Sequence, residues 1–137
     1  MSRREAREHI MKLLFQTEFM EEDEYDQLAD YYLERFQIGD KYQDFILGEY
    51  RGTIANQDKI DEIIESHSRN WKTSRMAKLD LTILRLAVYE MYYEEDIPNN
   101  VAINEAVELA KKYSSDKSPA FINGLLANIV KGIEDQQ

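Results

Sequence analysis

The stretch "KLDLTILRLAVYEMYYEE", residues 78–95, constrains this chain more than any other part of it. Its apolar residues fall at nearly every angle of a 3.6-residue turn, with Asp80, Thr82, Arg85 and Glu90 scattered among them. A helix with one apolar stripe lies on a core, whereas a helix apolar all round has to be enclosed. The rest of the chain supplies the enclosure. Only five Gly and two Pro occur in 137 residues, too few turn residues for a β-sandwich. Elsewhere the apolar positions recur three and four apart. The expected fold is therefore all-α, with other helices packed round a buried central one. The length suits a single domain, residues 1–137, that can bury a real core.

The first helix is predicted from Arg3 to Met20, with Ala6, Ile10, Leu13, Leu14 and Thr17 inward. Ser2-Arg3-Arg4-Glu5 opens it with a capping-box pattern. A second is expected over Tyr25–Phe36, with Leu28, Tyr32, Leu33 and Phe36 on one side and a break at Gly39-Asp40. A long helix over Lys41–His67 follows, in which Gly48 and Gly52 read as marks of close helix packing. Residues 68–77 form a connector with a short turn. After the enclosed helix, Ile97-Pro98-Asn99-Asn100 breaks the chain, and Val101–Tyr113 is helical with Val101/Ala102, Ala106, Leu109 and Ala110 inward. Ser118 is placed as N-cap of the last helix, with Pro119 at its first position. That helix carries its core stripe on Ile122, Leu125, Leu126, Ile129 and Ile133. The total is six or seven helices.

Composition removes several function classes. The chain has no cysteine, hence no disulfide, thiolate zinc site or cysteine nucleophile, which agrees with a reducing cytosol. There is no apolar run of membrane-spanning length and no secretory leader pattern, so a soluble cytoplasmic protein is expected. His9 and His67 have no spaced His or Cys partner, and no Gly-rich phosphate loop, GxSxG or HExxH occurs. No catalytic residue, metal or cofactor is expected.

Charge is segregated. The net charge is -10, yet residues 66–88 carry +4, while 21–65 carry -10 and 89–110 carry -6. Local basic surface can coexist with an acidic whole. Arg3, Arg4 and Arg7 stand three and four apart at a helix start, where the macrodipole favours anions. Exposed arginines set against that preference point to an anionic ligand, although Glu5 and Glu8 also screen them. At the last helix, Lys117, the amides after Ser118 and an edge aromatic, Phe121, offer a second anion and base site. Periodicity does not say whether the two ends meet. Arg85, inside the enclosed helix, calls for a structural ion pair.

Three segments carry a family resemblance: "RREAREHIMKLLFQ", "LDLTILRLAVYEM" and "IPNNVAINEAVELAKKYSSDKSPAFINGLLANIVK". Together they resemble the NusB family of transcription antitermination factors, in order, along essentially the whole chain. The resemblance implies two small helical bundles and no catalysis. It implies binding of the boxA element of ribosomal RNA leader transcripts together with NusE, a ribosomal protein. Other Nus factors and RNA polymerase are then met indirectly. Arg3, Arg4 and Arg7 would contact RNA phosphates, and Phe121 would lie against a base. Asn123 and Gly124 match the family's "-NG-" pair, with Gly124 permitting close approach. Where the family commonly has Lys or Arg, this chain has Ala120, and Lys117 is the expected substitute. Glu90 and Glu105 match family motifs within the acidic 89–110 stretch, which suits a basic partner; either could instead be structural. Two other classes compete: a helical adaptor that binds no RNA, and the RNA-binding part of a ribosomal RNA cytosine methyltransferase, which would need an α/β domain and catalytic cysteines. Monomer and homodimer both remain open.

Overall fold

The computed structural model describes residues 1–69 and 71–136. Among these residues there are seven α-helices and no strand. The chain divides into two compact units, Met1–Ala55 and Asn56–Gln137.

The first unit holds α1 (Arg3–Thr17), α2 (Tyr25–Arg35) and α3 (Asp40–Ala55), with α1 packed against both others. The expected stripe of α1 is fully buried. The helix ends at Thr17 rather than Met20. Thr17 Oγ1 donates to Leu14 O, and the next three amides bond three residues back, which tightens the turn. α2 stops at a residue the sequence did not mark. Gln37 has φ 53, Ile38 N–H donates to Leu33 O and Gln37 N–H to Glu34 O. This is a Schellman turn with glutamine where glycine is usual, and buried Ile38 supplies its apolar contact. Phe36, expected inward, is half exposed and packs at a tilt of 36° against Tyr32, with ring centroids 4.5 Å apart.

Tyr50 of α3 is fully buried and donates its hydroxyl to Tyr25 O at 2.9 Å. Burial, with the Asp26 carboxylate second, raises its pKa from 10.0 to about 12. A raised folded-state pKa contributes stability below the unfolded value, and that contribution is lost as pH climbs through the folded one. Wild-type stability is therefore expected to fall between pH 10.0 and about 12 by an amount that Tyr50→Phe lacks, measured by urea unfolding across that range.

The second unit holds α4 (Gln57–Ser66), α5 (Lys78–Tyr93), α6 (Asn99–Tyr113) and α7 (Ser118–Asp135), with a short 3-10 turn at Thr73–Arg75. The enclosed helix is where the sequence put it. Every residue from Asp80 to Glu90 is buried, and α5 packs against α4, α6 and α7. Its arginine has the expected ion pair: Arg85 Nε and Nη2 each donate to a carboxylate oxygen of Asp61 at 2.8 Å. The single long helix expected over Lys41–His67 is instead α3 and α4. Asn56 leaves the helical region at φ -108, ψ 14. Periodicity hid the break, because Thr53 and Ile60 are seven residues apart and the stripe stays in phase across it.

Glycine expectations also change. A Cβ at Gly48 would meet nothing within 4 Å, so this glycine does not mark close helix packing. At Gly132 it would lie 2.9 Å from His67 Nε2. The imidazole is held from its other side, where Nδ1 sits 2.8 Å from Ile63 O. Alanine gains about 1 kcal/mol of helix propensity over glycine but here forces the ring out of place, at about 1–3 kcal/mol. Gly132→Ala is expected to lower the thermal midpoint in wild type and to raise it in a His67→Ala background.

Candidate nucleic-acid interface

In the first unit, the start of α1 is built as its sequence implies. Ser2 is extended, and its Oγ accepts from Glu5 N–H at 3.2 Å. Arg3 and Arg4 are exposed; Arg7 is not, at 5% exposure. The expectation of three exposed arginines is therefore corrected to two. Arg7 follows Ala6 and precedes Ile10 by three residues, so it borders the core stripe of α1. It lies against Phe45 of α3, its Cζ 5.7 Å from the ring centroid, and Arg3 stacks on the same ring at 4.1 Å. One aromatic face thus explains part of why arginines tolerate a helix start, since a cation over a ring gains about 0.5–2 kcal/mol.

In the second unit, Phe121 of α7 is half-buried beside Trp71, the ring centroids 6.4 Å apart and tilted by 52°. The two rings are shared by two pockets. One, of about 360 Å³, is bordered by Arg75, Lys117 and Asp80. The other, of about 230 Å³, is bordered by His67, Arg69 and Asn128. The turn carrying Arg75 is anchored by Glu65, which accepts from Thr73 N–H at 2.9 Å and Thr73 Oγ1 at 3.0 Å. Those two bonds, the backbone one first, hold the Glu65 carboxyl below the usual range. Trp71 is tied back by its N–H to Ser68 O and by Ser68 Oγ to its own carbonyl.

Ser118 is shifted by one from its expected place. Lys117 is the N-cap and Ser118 the first helical residue. Ser118 is 2% exposed, its Oγ near those of Ser115 and Ser114 at 2.8 and 3.0 Å, and Ser114 donates to Asp80. This hydroxyl cluster aligns the loop, with Ser118 itself buried and Ser115 exposed at the edge of the larger pocket. Nor is there a row of free amides: Ser118 N–H donates to Ser115 O, Pro119 has none, and Phe121 N–H donates to Lys117 O. Lys117 itself is exposed at the rim. Asn123 is exposed but stands about 200° round α7 from Phe121 and borders neither pocket.

The partner surface is corrected at one residue. Glu90 is 1% exposed within α5 and cannot face a partner. Glu105, on α6, is partly exposed. Sequence reasoning missed Trp71, Arg69 and Arg75 as site residues. They lie in a connector with no periodicity to place them, and the only signal was the local charge of +4 over 66–88.

Among the described residues no group of three or more His, Cys, Asp or Glu could hold a metal ion, and no helix is long and apolar enough to cross a membrane. Exposed cations beside aromatic rings on an all-helical fold are the features to set beside known proteins. The chain belongs to the NusB family, whose model matches residues 4–131. The transcription antitermination protein NusB of Acetivibrio thermocellus is 47% identical over 131 residues, spanning 96% of this chain and 90% of its own. NusB of T. maritima is similar in structure, with a TM-score of 0.88 at 35% identity, covering 96% of this chain and 92% of that one. A chain in a complex of NusB and NusE with double-stranded RNA shares the fold, with a TM-score of 0.85 at 24% identity, covering 95% of this chain and 96% of that one.

Proposed function

We propose that this protein is a cytoplasmic transcription antitermination factor that binds boxA RNA of ribosomal RNA leaders together with NusE, and that it carries out no catalysis. The observation that carries the reading is the cationic, aromatic-lined face of the second unit, in a family member whose overall net charge is -10. Arg3 and Arg4 serve as phosphate contacts from the first unit, and Lys117 from the second. Phe121 serves as the base contact. Glu105 and the acidic 89–110 stretch suit a basic ribosomal protein, since complementary charge steers such encounters. Acidity elsewhere keeps general nucleic acid away while the local cations accept one strand.

Fluorescence anisotropy with labelled boxA RNA, with and without NusE, between 50 and 200 mM salt tests this, at roughly the range where phosphate contacts dominate affinity. Binding is expected to tighten with NusE and to weaken with salt. Lys117→Ala is expected to lower the log–log salt slope by about 1, the share of one phosphate contact. An absence of RNA binding at low salt with NusE present would sink the proposal.

A further inference from the structure

We infer that Trp71 is a second base platform, so that two consecutive unpaired nucleotides stack at the Trp71–Phe121 pair, one in each flanking pocket; this rests on the RNA reading and extends it beyond Phe121. Trp71 is 56% exposed and, unlike a lone surface aromatic, is paired with Phe121 between two pockets. Its neighbourhood says what. Residues 66–88 are the most basic stretch of an acidic chain, and three of their cations or near neighbours sit at the pockets: Arg75 and Lys117 at one, Arg69 at the other. Aromatic rings interleaved with cations are the arrangement that holds single strands, the rings taking bases and the cations phosphates.

The geometry also says how. A base slotted between two rings needs them parallel and about 7 Å apart, twice the stacking step of about 3.4 Å. Trp71 and Phe121 are 6.4 Å apart and tilted by 52°, which makes them a ridge rather than a slot. Bases therefore stack on the outward faces. The larger pocket, at about 360 Å³, falls in the range of about 300–1,000 Å³ typical of small-ligand sites. The smaller one, bordered by Asn128 and His67, adds polar groups that can meet a base edge. Inside a duplex each base has both faces stacked on its neighbours, so the ridge selects single-stranded RNA.

Trp71 is the only tryptophan in the chain, so its emission reads the platform directly. The full-length protein is titrated with a single-stranded boxA 12-mer, with the same sequence as a blunt duplex, and in parallel with the fluorescein-labelled strand for anisotropy. The single strand is expected to quench tryptophan emission to saturation, and the duplex to leave it unchanged. Trp71→Leu is expected to weaken binding about 10-fold with the salt slope unchanged, and Trp71→Phe to keep affinity within about 3-fold, since stacking contributes without charge. Anisotropy showing tight binding while Trp71→Leu keeps wild-type affinity overturns the platform and leaves the RNA reading standing. Equal quenching by the duplex overturns it as well. Anisotropy showing no binding by any variant overturns the RNA reading, and the platform with it.

Discussion

Asp61→Ala is expected to cost about 3–5 kcal/mol in urea unfolding. The carboxylate receives two 2.8 Å hydrogen bonds from Arg85, whose side chain is only 10% exposed on the enclosed helix. Removing the carboxylate leaves the guanidinium buried with much less compensation, and desolvation then dominates. Replacing both residues together, Arg85→Met with Asp61→Leu, removes the buried charge and its partner at once. That pair is expected to recover most of the loss. A double variant as unstable as the single one would show that the pair stabilises through packing rather than charge.

Arg7→Ala is expected to lower stability by about 3 kcal/mol, whereas Arg3→Ala and Arg4→Ala stay within about 0.5 kcal/mol of wild type. Arg7 is 5% exposed on α1, and α3, packed against it, carries Glu49 at 1% exposure. Both side chains are buried on packed helices, so Arg7 belongs to the architecture of the first unit. Arg3 and Arg4 are exposed, and exposed charges contribute little to folding. RNA binding measured on folded protein should show the reverse order, with the salt slope falling in the Arg3 and Arg4 variants. Equal stability of all three variants would return Arg7 to the ligand-facing set.

Much of this fold is legible because helical period is a strong signal. The enclosed α5, the buried stripes of α1 and α7 and the need for an Arg85 partner all follow from spacing and the cost of burying charge. The same reasoning, applied to Glu90, would have kept it from the partner surface, since it lies in the helix argued to be buried all round. Arg7 likewise stands three and seven residues before Ile10 and Leu14, the spacing of the core itself. Other features had no such signal. The break at Asn56 leaves the apolar phase intact. Gly132, not Gly48, makes the close approach within the chain, which depends on where His67, just past the end of another helix, lies. Trp71 meets Phe121 across 50 residues of sequence, and only tertiary structure brings them together. The role of Ser118 moved from cap to loop hydroxyl because Ser114 and Ser115 were close enough to engage it.

The burial of α5 has a consequence for how occupancy is read. Amide protons of residues 81–90 lie inside the most enclosed helix, so their exchange with solvent requires the second unit to open as a whole. A ligand that binds only the folded unit slows that opening by a factor of one plus its concentration over its Kd. Deuterium uptake at α5 should then count bound RNA from a helix whose residues 81–90 border neither pocket. The core of the unit becomes a gauge of what happens at its surface.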